Sequence, residues 1–228
     1  MSRVGKGRDA RDGCGGRVIH SKVRPTYQEE SPVTDPSLIV PLMKARVPAE
    51  VQLEFPLPAD EEPVRDPFAG DLYVTYALEH ADENGRRYEH VARRHCAELG
   101  VEPGDLRARA VLNLRDRRPE LGLNWYPDVR AVTVAVGGLE ASLLLDDGFL
   151  DKLAQDVEGD LVVAAPARDV FVASGTGHPE GVDKLRWAVA QVWARDADPA
   201  WDAPASALLG HDLLVRREGS WGILTTVS

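Results

Sequence analysis

Cysteine, methionine and long apolar runs are scarce in this 228-residue chain, which contains two cysteines and two methionines. No apolar run approaches the roughly 18 residues that a membrane-spanning helix needs. The N-terminal residues lack the apolar segment of a secretory signal peptide. Cys14 and Cys96 lie in different sequence contexts, and we interpret them as two reduced thiols. These observations predict a cytoplasmic protein with no membrane association.

The motifs of common catalytic and cofactor sites are also missing from the sequence. It contains no Gly-x-Ser-x-Gly nucleophile elbow and no Walker-type phosphate-binding loop. Its histidines include no i, i+4 pair that could clasp a metal ion, since His90 and His95 are five residues apart and would diverge around a helix. Cys96 lacks an identifiable base that would activate it. A run of carboxylates is interpreted as a solvated helix face rather than a metal site: Asp146, Asp147 and Asp151. We therefore expect no cofactor and no metal ion.

One glycine-rich segment, residues 175–181, lies between a predicted strand and a predicted helix. Backbone N–H groups at a helix start can bind phosphate. The spacing here is Gly-x-Gly-x-x-x-Gly, however, and Pro179 removes one N–H group that a phosphate cradle would use. We interpret this segment as a turn followed by a helix that begins with proline.

Charge is unevenly distributed along the chain. The net charge is −10, but residues 1–24 carry seven basic and two acidic residues, a net +5, which leaves −15 for the rest. An acidic body repels phosphates, so nucleic-acid binding is not expected except through the basic N-terminal segment. Residues 1–36 are rich in Gly, Arg, Asp, Ser and Pro and show no apolar period. We predict a disordered basic tail over residues 1–36 and a single domain over residues 37–228.

The strongest fold signal lies in residues 139–193. Two apolar runs rich in β-branched residues flank Pro166-Ala167-Arg168-Asp169, so residues 161–174 are predicted to form a β-hairpin with Arg168 and Asp169 at or beside its tip. The runs are continuous rather than alternating, which is typical of a sheet covered on both faces. Apolar residues at helical spacing predict flanking helices over residues 139–154 and 179–193.

The remaining pattern places strands in pairs. Further helices are predicted over residues 86–99 and from about 102 to 117, and further strands over 38–42, 51–55, 71–78, 121–126, 130–136, 212–216 and 221–227. Since strand pairs alternate with helices, we predict an α+β fold: a largely antiparallel sheet built from strand pairs, with about four helices packed on it.

Three blocks of the sequence carry a family resemblance. LRARAVLNLRDRRPE, EASLLLDDGFLDKLA and GDLVVAAPARDVFVASG resemble, in order and spacing, the YtpQ-like family of uncharacterised bacterial proteins. The resemblance covers about residues 38–226. It implies a cytoplasmic bacterial α+β protein, places residues 1–36 outside the shared domain, and transfers no catalytic residue.

Four polar residues are candidate binding residues: Arg168, Asp169, Asn113 and Arg115. Arg168 and Asp169 lie between runs that should be buried; the structural alternative is that Asp169 accepts hydrogen bonds from the turn backbone while Arg168 is solvated. Asn113 lies on the inner face of its predicted helix and must find partners there. The structural alternative for Asn113 is that its side chain links that helix to a loop. Arg115 is expected to pair with acidic groups of the body.

Two hypotheses of function remain open at this point. The first is a non-enzymatic binding or regulatory module that acts through contacts with a protein partner of unknown identity. It rests on the absence of a nucleophile–base set, a metal cluster or a phosphate loop. The alternative is a hydrolase-type enzyme with a dispersed polar site near the 166–169 turn, formed by Asp169, Asn113 and Arg168.

Limited proteolysis tests the predicted tail. Residues 1–36 offer almost no apolar surface to offset an ordering entropy of about 1–2 kcal/mol per residue. A protease of broad specificity should therefore trim them and leave a stable product that begins near residue 37, as read by mass spectrometry. An N-terminus that stays protected and uncut would contradict this expectation.

Overall fold

The computed structural model describes residues 35–46, 57–83, 85–194 and 207–225. The predicted strand over residues 51–55 lies outside these ranges, and so does the predicted tail except for Asp35 and Pro36. None of the helices in the described ranges has the length and apolar character needed to cross a membrane.

Within the described ranges there are two sheets, and the first has four antiparallel strands. They are β1 (Ile39–Ala45), β2 (Arg65–Pro67), β3 (Leu72–Asp82) and β4 (Gly85–His90). The long strand β3 is central: it pairs with β1 along one edge and with β2 and β4 along the other. β1 is therefore an edge strand, as Pro41 within it predicts.

The second sheet has six antiparallel strands in the order β10-β9-β7-β8-β6-β5. These strands are β5 (Gly122–Tyr126), β6 (Ala131–Ala135), β7 (Leu161–Ala164), β8 (Val172–Gly175), β9 (Leu213–Arg217) and β10 (Ser220–Ile223). The helices are α1 (Arg93–Leu99), α2 (Leu106–Arg117), α3 (Asp147–Gln155) and α4 (Pro179–Trp193). The α+β class is confirmed, although its strands are divided between two sheets rather than gathered in one.

Strand β7 is buried on both faces, as its continuous apolar run predicts. Leu161 and Val163 belong to the larger apolar core, which includes residues of both sheets, while Val162 and Ala164 contact the smaller core under α4. A fully buried Leu or Val contributes roughly 1.5–3 kcal/mol. The two faces of this one strand therefore connect the two cores of the protein.

Residues 86–99 do not form the single helix that their apolar spacing predicts. Gly85–His90 form β4, and only Arg93–Leu99 are helical. The reason is that β3 continues to Asp82 and supplies a ladder for β4, which satisfies backbone hydrogen bonds that a helix would otherwise satisfy. Helix α1 is capped at its C-terminus by Gly100, whose φ of 64° is the left-handed conformation that glycine adopts readily.

The predicted helix over residues 139–154 is also interrupted, at Asp146. Glu140–Leu145 form a buried 3-10 segment, and α3 begins only at Asp147. The Asp146 carboxylate accepts a hydrogen bond from the Phe149 N–H at 2.8 Å, which caps the new helix. Local side-chain chemistry at this one residue therefore overrides the apolar period of the whole segment.

Strands β7 and β8 pair as predicted, but the segment that joins them is not a free tip. Residues 165–171 fold back into the protein, and Ala167 is fully buried. The Arg168 N–H donates to the Ala207 carbonyl at 2.8 Å, and its own carbonyl accepts from the Ala141 N–H at 2.9 Å. The turn is thus fixed by segments that are distant in sequence.

Gly181 marks a close approach of α4 to the six-stranded sheet, and its replacement tests that packing. A Cβ atom there would overlap Ser174 Oγ and lie 2.9 Å from the Arg130 carbonyl oxygen. Gly-to-Ala changes inside helices usually stabilise by about 1 kcal/mol, but overpacking should dominate here. Gly181→Ala should therefore lower the free energy of unfolding by about 1–3 kcal/mol in urea denaturation.

The control for this substitution is Gly104→Ala, where the added Cβ meets nothing within 4 Å. Its free energy of unfolding should stay within about 0.5 kcal/mol of wild type. Equal stability of the two variants would show that α4 can move away from the sheet without cost.

Candidate functional site

The four candidate residues occupy different places in the fold. Asn113 is buried, and its Nδ2 atom donates to the carbonyl oxygens of Pro36 at 2.8 Å and Ile39 at 2.9 Å. Both amide N–H groups are thus used to hold α2 against the start of β1, in line with the structural alternative. Across the described ranges, no hydrogen bond or ion pair joins Asn113 to Arg168 or Asp169.

Arg168 and Asp169 have environments opposite to those of the structural alternative. Asp169 is exposed, and its carboxylate accepts no hydrogen bond within the part of the chain that the structure describes. Arg168 is half-buried, with its guanidinium carbon 5.5 Å from the centre of the Tyr88 ring. That contact is a cation–π interaction. Arg168 is therefore packed against another residue rather than solvated.

Arg115 pairs with an acidic group as expected, and that group is Asp146. Its Nε and Nη2 atoms donate to the two carboxylate oxygens, which makes the pair bidentate. The Asp146 side chain is 4% exposed and that of Arg115 47% exposed. The interpretation of Asp146 as part of a solvated face is wrong, because this residue lies at the junction of the 3-10 segment and α3. Asp147 and Asp151 are exposed and bond Arg216.

The electrostatics of Asp146 follow from this geometry. Burial alone would raise the pKa of its carboxyl group. The hydrogen bonds from Arg115 and from the backbone N–H groups of Phe149 and Gly148 outweigh burial and hold the pKa below its ordinary value. Asp146 is therefore a stable anion that orients the Arg115 guanidinium.

A pocket of about 460 Å³ lies beside this ion pair. Its apolar lining comes from two directions: Leu121 and Leu123 at the start of β5, and Phe149 and Leu153 on α3. Its polar lining consists of the Arg115–Asp146 ion pair, Lys152 on α3, and Asp156 at the C-terminal cap of α3. Apolar walls with a few polar groups are typical of binding pockets.

Strand β5 forms one wall of the pocket and one edge of the six-stranded sheet. All five of its residues are exposed. Among them are Leu123 at 46%, Trp125 at 38% and Tyr126 at 39% relative exposure. Aromatic residues at an exposed strand edge are typical of protein interfaces.

A second polar region surrounds Glu79 on β3, which is 3% exposed. Arg117 Nε lies 3.2 Å from its Oε2 atom, Arg86 Nε lies 3.6 Å from its Oε1 atom, and Arg118 Nη2 bonds the same Oε1. The Tyr88 hydroxyl lies 3.2 Å from Oε1. We call these five residues, together with Arg168 above the Tyr88 ring, the arginine cluster.

The sequence interpretation missed most of the arginine cluster. Glu79 lies one residue beyond the predicted strand over residues 71–78, and Tyr88 lies within the predicted helix over residues 86–99. The only visible signal is the basic run from Arg115 to Arg118, which is part of one of the family-like blocks. That run does not reveal its acidic partner, because Glu79 lies 39 residues from Arg118.

The glycine-rich segment 175–181 is closely packed rather than open. The Gly177 N–H donates to the Glu158 carbonyl at 2.9 Å, and a Cβ atom on Gly177 would lie 2.8 Å from Glu158 Cγ. A Cβ atom on Gly175 would lie 2.9 Å from the Glu158 nitrogen. Close approach to residue 158 thus gives these glycines a packing role, as expected of a turn.

The Arg115–Asp146 pair should make stability depend on acidic pH. The lowered folded-state pKa means that the Asp146 carboxylate contributes stability that is complete above its ordinary pKa of 3.8 and is lost as pH falls below that value. Asp146→Asn should lower the free energy of unfolding by about 1–3 kcal/mol at pH 7. The difference from wild type should shrink at pH 3, as measured by urea denaturation.

The control is Asp147→Asn, because the Asp147 side chain is 74% exposed in its pair with Arg216. An exposed pair contributes about 0–1 kcal/mol. If the difference in the free energy of unfolding between wild type and Asp146→Asn stays constant from pH 7 to pH 3, the role of the ionised carboxylate is contradicted.

Comparisons with known proteins give one partial similarity. No family model matches the chain, and no solved structure matches it significantly. A UPF0354 protein of Halalkalibacterium halodurans is 36% identical over 67 residues, which cover 29% of this chain and 25% of that protein. The similarity thus spans a quarter of the relative's length. UPF0354 denotes an uncharacterised bacterial family, so the chain resembles an uncharacterised bacterial protein over this part.

Proposed function

We propose that this chain is a non-enzymatic binding module that acts through protein contacts. An extended segment of a partner adds to the free edge of β5 and places one apolar side chain in the adjacent pocket. The exposed, uncharged edge strand beside that pocket is the observation that carries the proposal.

The position of β5 supports the backbone part of this contact. β5 is the last strand in the sheet order, and within the described ranges it pairs with β6 alone. An antiparallel strand directs alternate N–H and C=O groups away from its neighbour. A segment of the partner that extends the sheet would supply hydrogen bonds to these outward groups.

The composition of β5 supports an apolar partner surface. Natural edge strands are usually protected by charged residues, proline or bulges, but Gly122-Leu123-Asn124-Trp125-Tyr126 contains no charge and no proline. The body beyond residue 24 carries a net charge of −15. An uncharged strip on an acidic body is where another protein meets the least electrostatic repulsion.

The pocket supports the side-chain part of the contact. Leu123 belongs both to the edge strand and to the pocket wall. A partner strand that pairs with β5 would therefore lie next to a cavity of about 460 Å³ lined by Phe149 and Leu153. Pockets of roughly 300–1,000 Å³ hold drug-sized groups, so a bulky aliphatic or aromatic side chain fits.

We also infer that the chain is a YtpQ-like protein of the bacterial cytoplasm. The order and spacing of its three sequence blocks support the family relationship, as does the partial similarity to a UPF0354 protein. The cytoplasmic location is supported by Cys96, a buried free thiol whose pKa is raised by burial. Such a thiol is typical of a reducing compartment.

Affinity capture from a lysate of the source bacterium tests the binding proposal, with wild type compared against Leu123→Lys. A lysine at this position adds a charge to the edge strand and to the pocket wall. Recovery of a bound protein should fall at least tenfold, which corresponds to about 1.4 kcal/mol. Hydrogen exchange on the captured complex should show slower exchange of the β5 amides than in the free protein.

The matched control is Leu57→Lys, because Leu57 has the same 46% exposure as Leu123 and lies in the segment before β2. It should retain the partner fully, and both variants should keep the wild-type melting temperature. Equal recovery by wild type and both variants, with unchanged exchange at β5, would refute the proposal.

A further inference from the structure

The arginine cluster carries more positive charge than its acidic residues offset. Arg86, Arg117, Arg118 and Arg168 lie around Glu79 and Tyr88. The body of the protein is acidic as a whole, so this concentration of cations is contrary to the overall charge. Like charges that are brought together in a low-dielectric site are costly unless anions balance them.

Several polar atoms of the cluster lack partners. Nε and Nη1 of Arg118 and Nε of Arg168 are buried and have no hydrogen bond to any described residue. The Arg118 side chain is only 4% exposed. A buried donor that stays unsatisfied costs about 1–3 kcal/mol, and more for a charged group. These N–H groups are thus donors that have no acceptor among the described residues.

Glu140, at the end of the loop over residues 136–140, does not remove this surplus of positive charge. Glu140 Oε1 accepts from the N–H groups of Val136, Gly137 and Gly138 at 2.8, 2.9 and 3.1 Å, while its Oε2 is buried without a partner. The same loop contacts the cluster, because Arg86 Nη1 donates to the Gly137 carbonyl at 2.7 Å. Counting Glu79 and Glu140 against four guanidinium groups still leaves a net +2.

Tyr88 connects the two arginines of the cluster that have unpaired atoms. Its hydroxyl lies 3.4 Å from Arg118 Nη2, and its ring lies under the Arg168 guanidinium. Tyr88 and Arg168 are half-buried, and Arg86 is 46% exposed. Solvent and small solutes can therefore reach this side of the cluster.

We propose that the arginine cluster binds an oxyanion, a phosphate or carboxylate group, at the unpaired N–H groups of Arg118 and Arg168 beside Tyr88. The planar guanidinium matches both oxyanions because it presents paired N–H donors to two oxygens. The bound anion supplies hydrogen-bond acceptors and offsets the surplus positive charge. The arginine cluster shares no residue with the lining of the pocket beside β5.

The pKa values of neighbouring basic groups are lowered, as expected in an electropositive region. The pKa of Lys44 is lowered, chiefly by burial and further by the charge of Arg168. The pKa of His90 is lowered by burial and by the charges of Lys44 and Arg65. Positive potential therefore extends from the cluster along the neighbouring strands β1 and β4.

Direct binding and thermal unfolding with inorganic phosphate test this proposal, and acetate in a parallel arm identifies a carboxylate preference. Ionic strength is held constant with chloride, so that general screening does not contribute. At about 100-fold excess over its Kd, the bound anion should raise Tm by roughly 5–10 °C. Equilibrium dialysis with labelled phosphate, and the same with labelled acetate, should give one bound anion per chain in at least one arm.

The decisive variant is Arg168→Gln, which removes one charge but keeps the packing stem of the side chain. It should weaken anion binding about 10- to 100-fold, the loss expected for a charge-assisted hydrogen bond. The matched control is Arg109→Gln on α2, because Arg109 is exposed and lies outside the cluster. Arg109→Gln should bind the anion with wild-type affinity.

Any of four results would overturn the assignment. The first is the absence of saturable binding of either anion to wild type. The second is equal affinity of Arg168→Gln and Arg109→Gln for the anion. The third is loss of binding caused equally by Leu123→Lys, which changes only the β5 surface. Arg118→Gln serves as a second variant when circular dichroism shows that it is folded, and unchanged affinity there would also contradict the site.

Discussion

Burial of strand β7 on both faces is the constraint on which the rest of the structure depends. Each face needs an apolar cover, and α4 supplies one while the 3-10 segment, α3 and the four-stranded sheet contribute to the other. Its backbone groups must also be paired, because unpaired groups in a dry core are costly. β8 and β9 provide that pairing along its two edges. The pairing of β7 on both edges therefore sets the central strand order β9-β7-β8.

Single side-chain hydrogen bonds join the segments around this centre. The Ser142 hydroxyl donates to the Pro41 carbonyl at 2.8 Å, and Trp221 Nε1 donates to the Leu144 carbonyl at 3.1 Å. Together with the Asn113 amide, they satisfy carbonyl groups outside regular ladders and helices, as buried polar groups require. Each of these bonds spans more than 70 residues of sequence. They therefore join segments that are distant from each other in the chain.

Two regions of the protein depart from what stability alone would select, and they do so in opposite ways. β5 exposes an uncharged strand edge that usually needs protection. The arginine cluster gathers four guanidinium groups around Glu79 and Tyr88, with Arg118 buried, and leaves donors unpaired. Local rules are most often broken where a protein binds something. The chemistry of the two regions differs, because one offers backbone groups and apolar area and the other offers charge.

The sequence by itself determined those elements whose signals are local. Helix α2 buries the inner positions that its period predicts, α4 begins at Pro179, and the β9–β10 hairpin turns at Glu218 and Gly219, both with positive φ. The continuous apolar run of β7 also predicted a strand covered on both faces. In each case a few neighbouring residues carry the whole signal, through periodicity, capping or turn conformation.

Tertiary structure alone decided the rest. Residues 85–90 pair with β3 although their apolar spacing suits a helix, because a long neighbouring strand offers them a ladder. Asp146 is buried because Arg115, 31 residues away, reaches it, and the arginine cluster depends on Glu79 lying 39 residues from Arg118. The packing of Arg168 on Tyr88 has the same origin. Periodicity reports which side of a segment is apolar, but the partner of a buried charge is fixed only when distant segments meet.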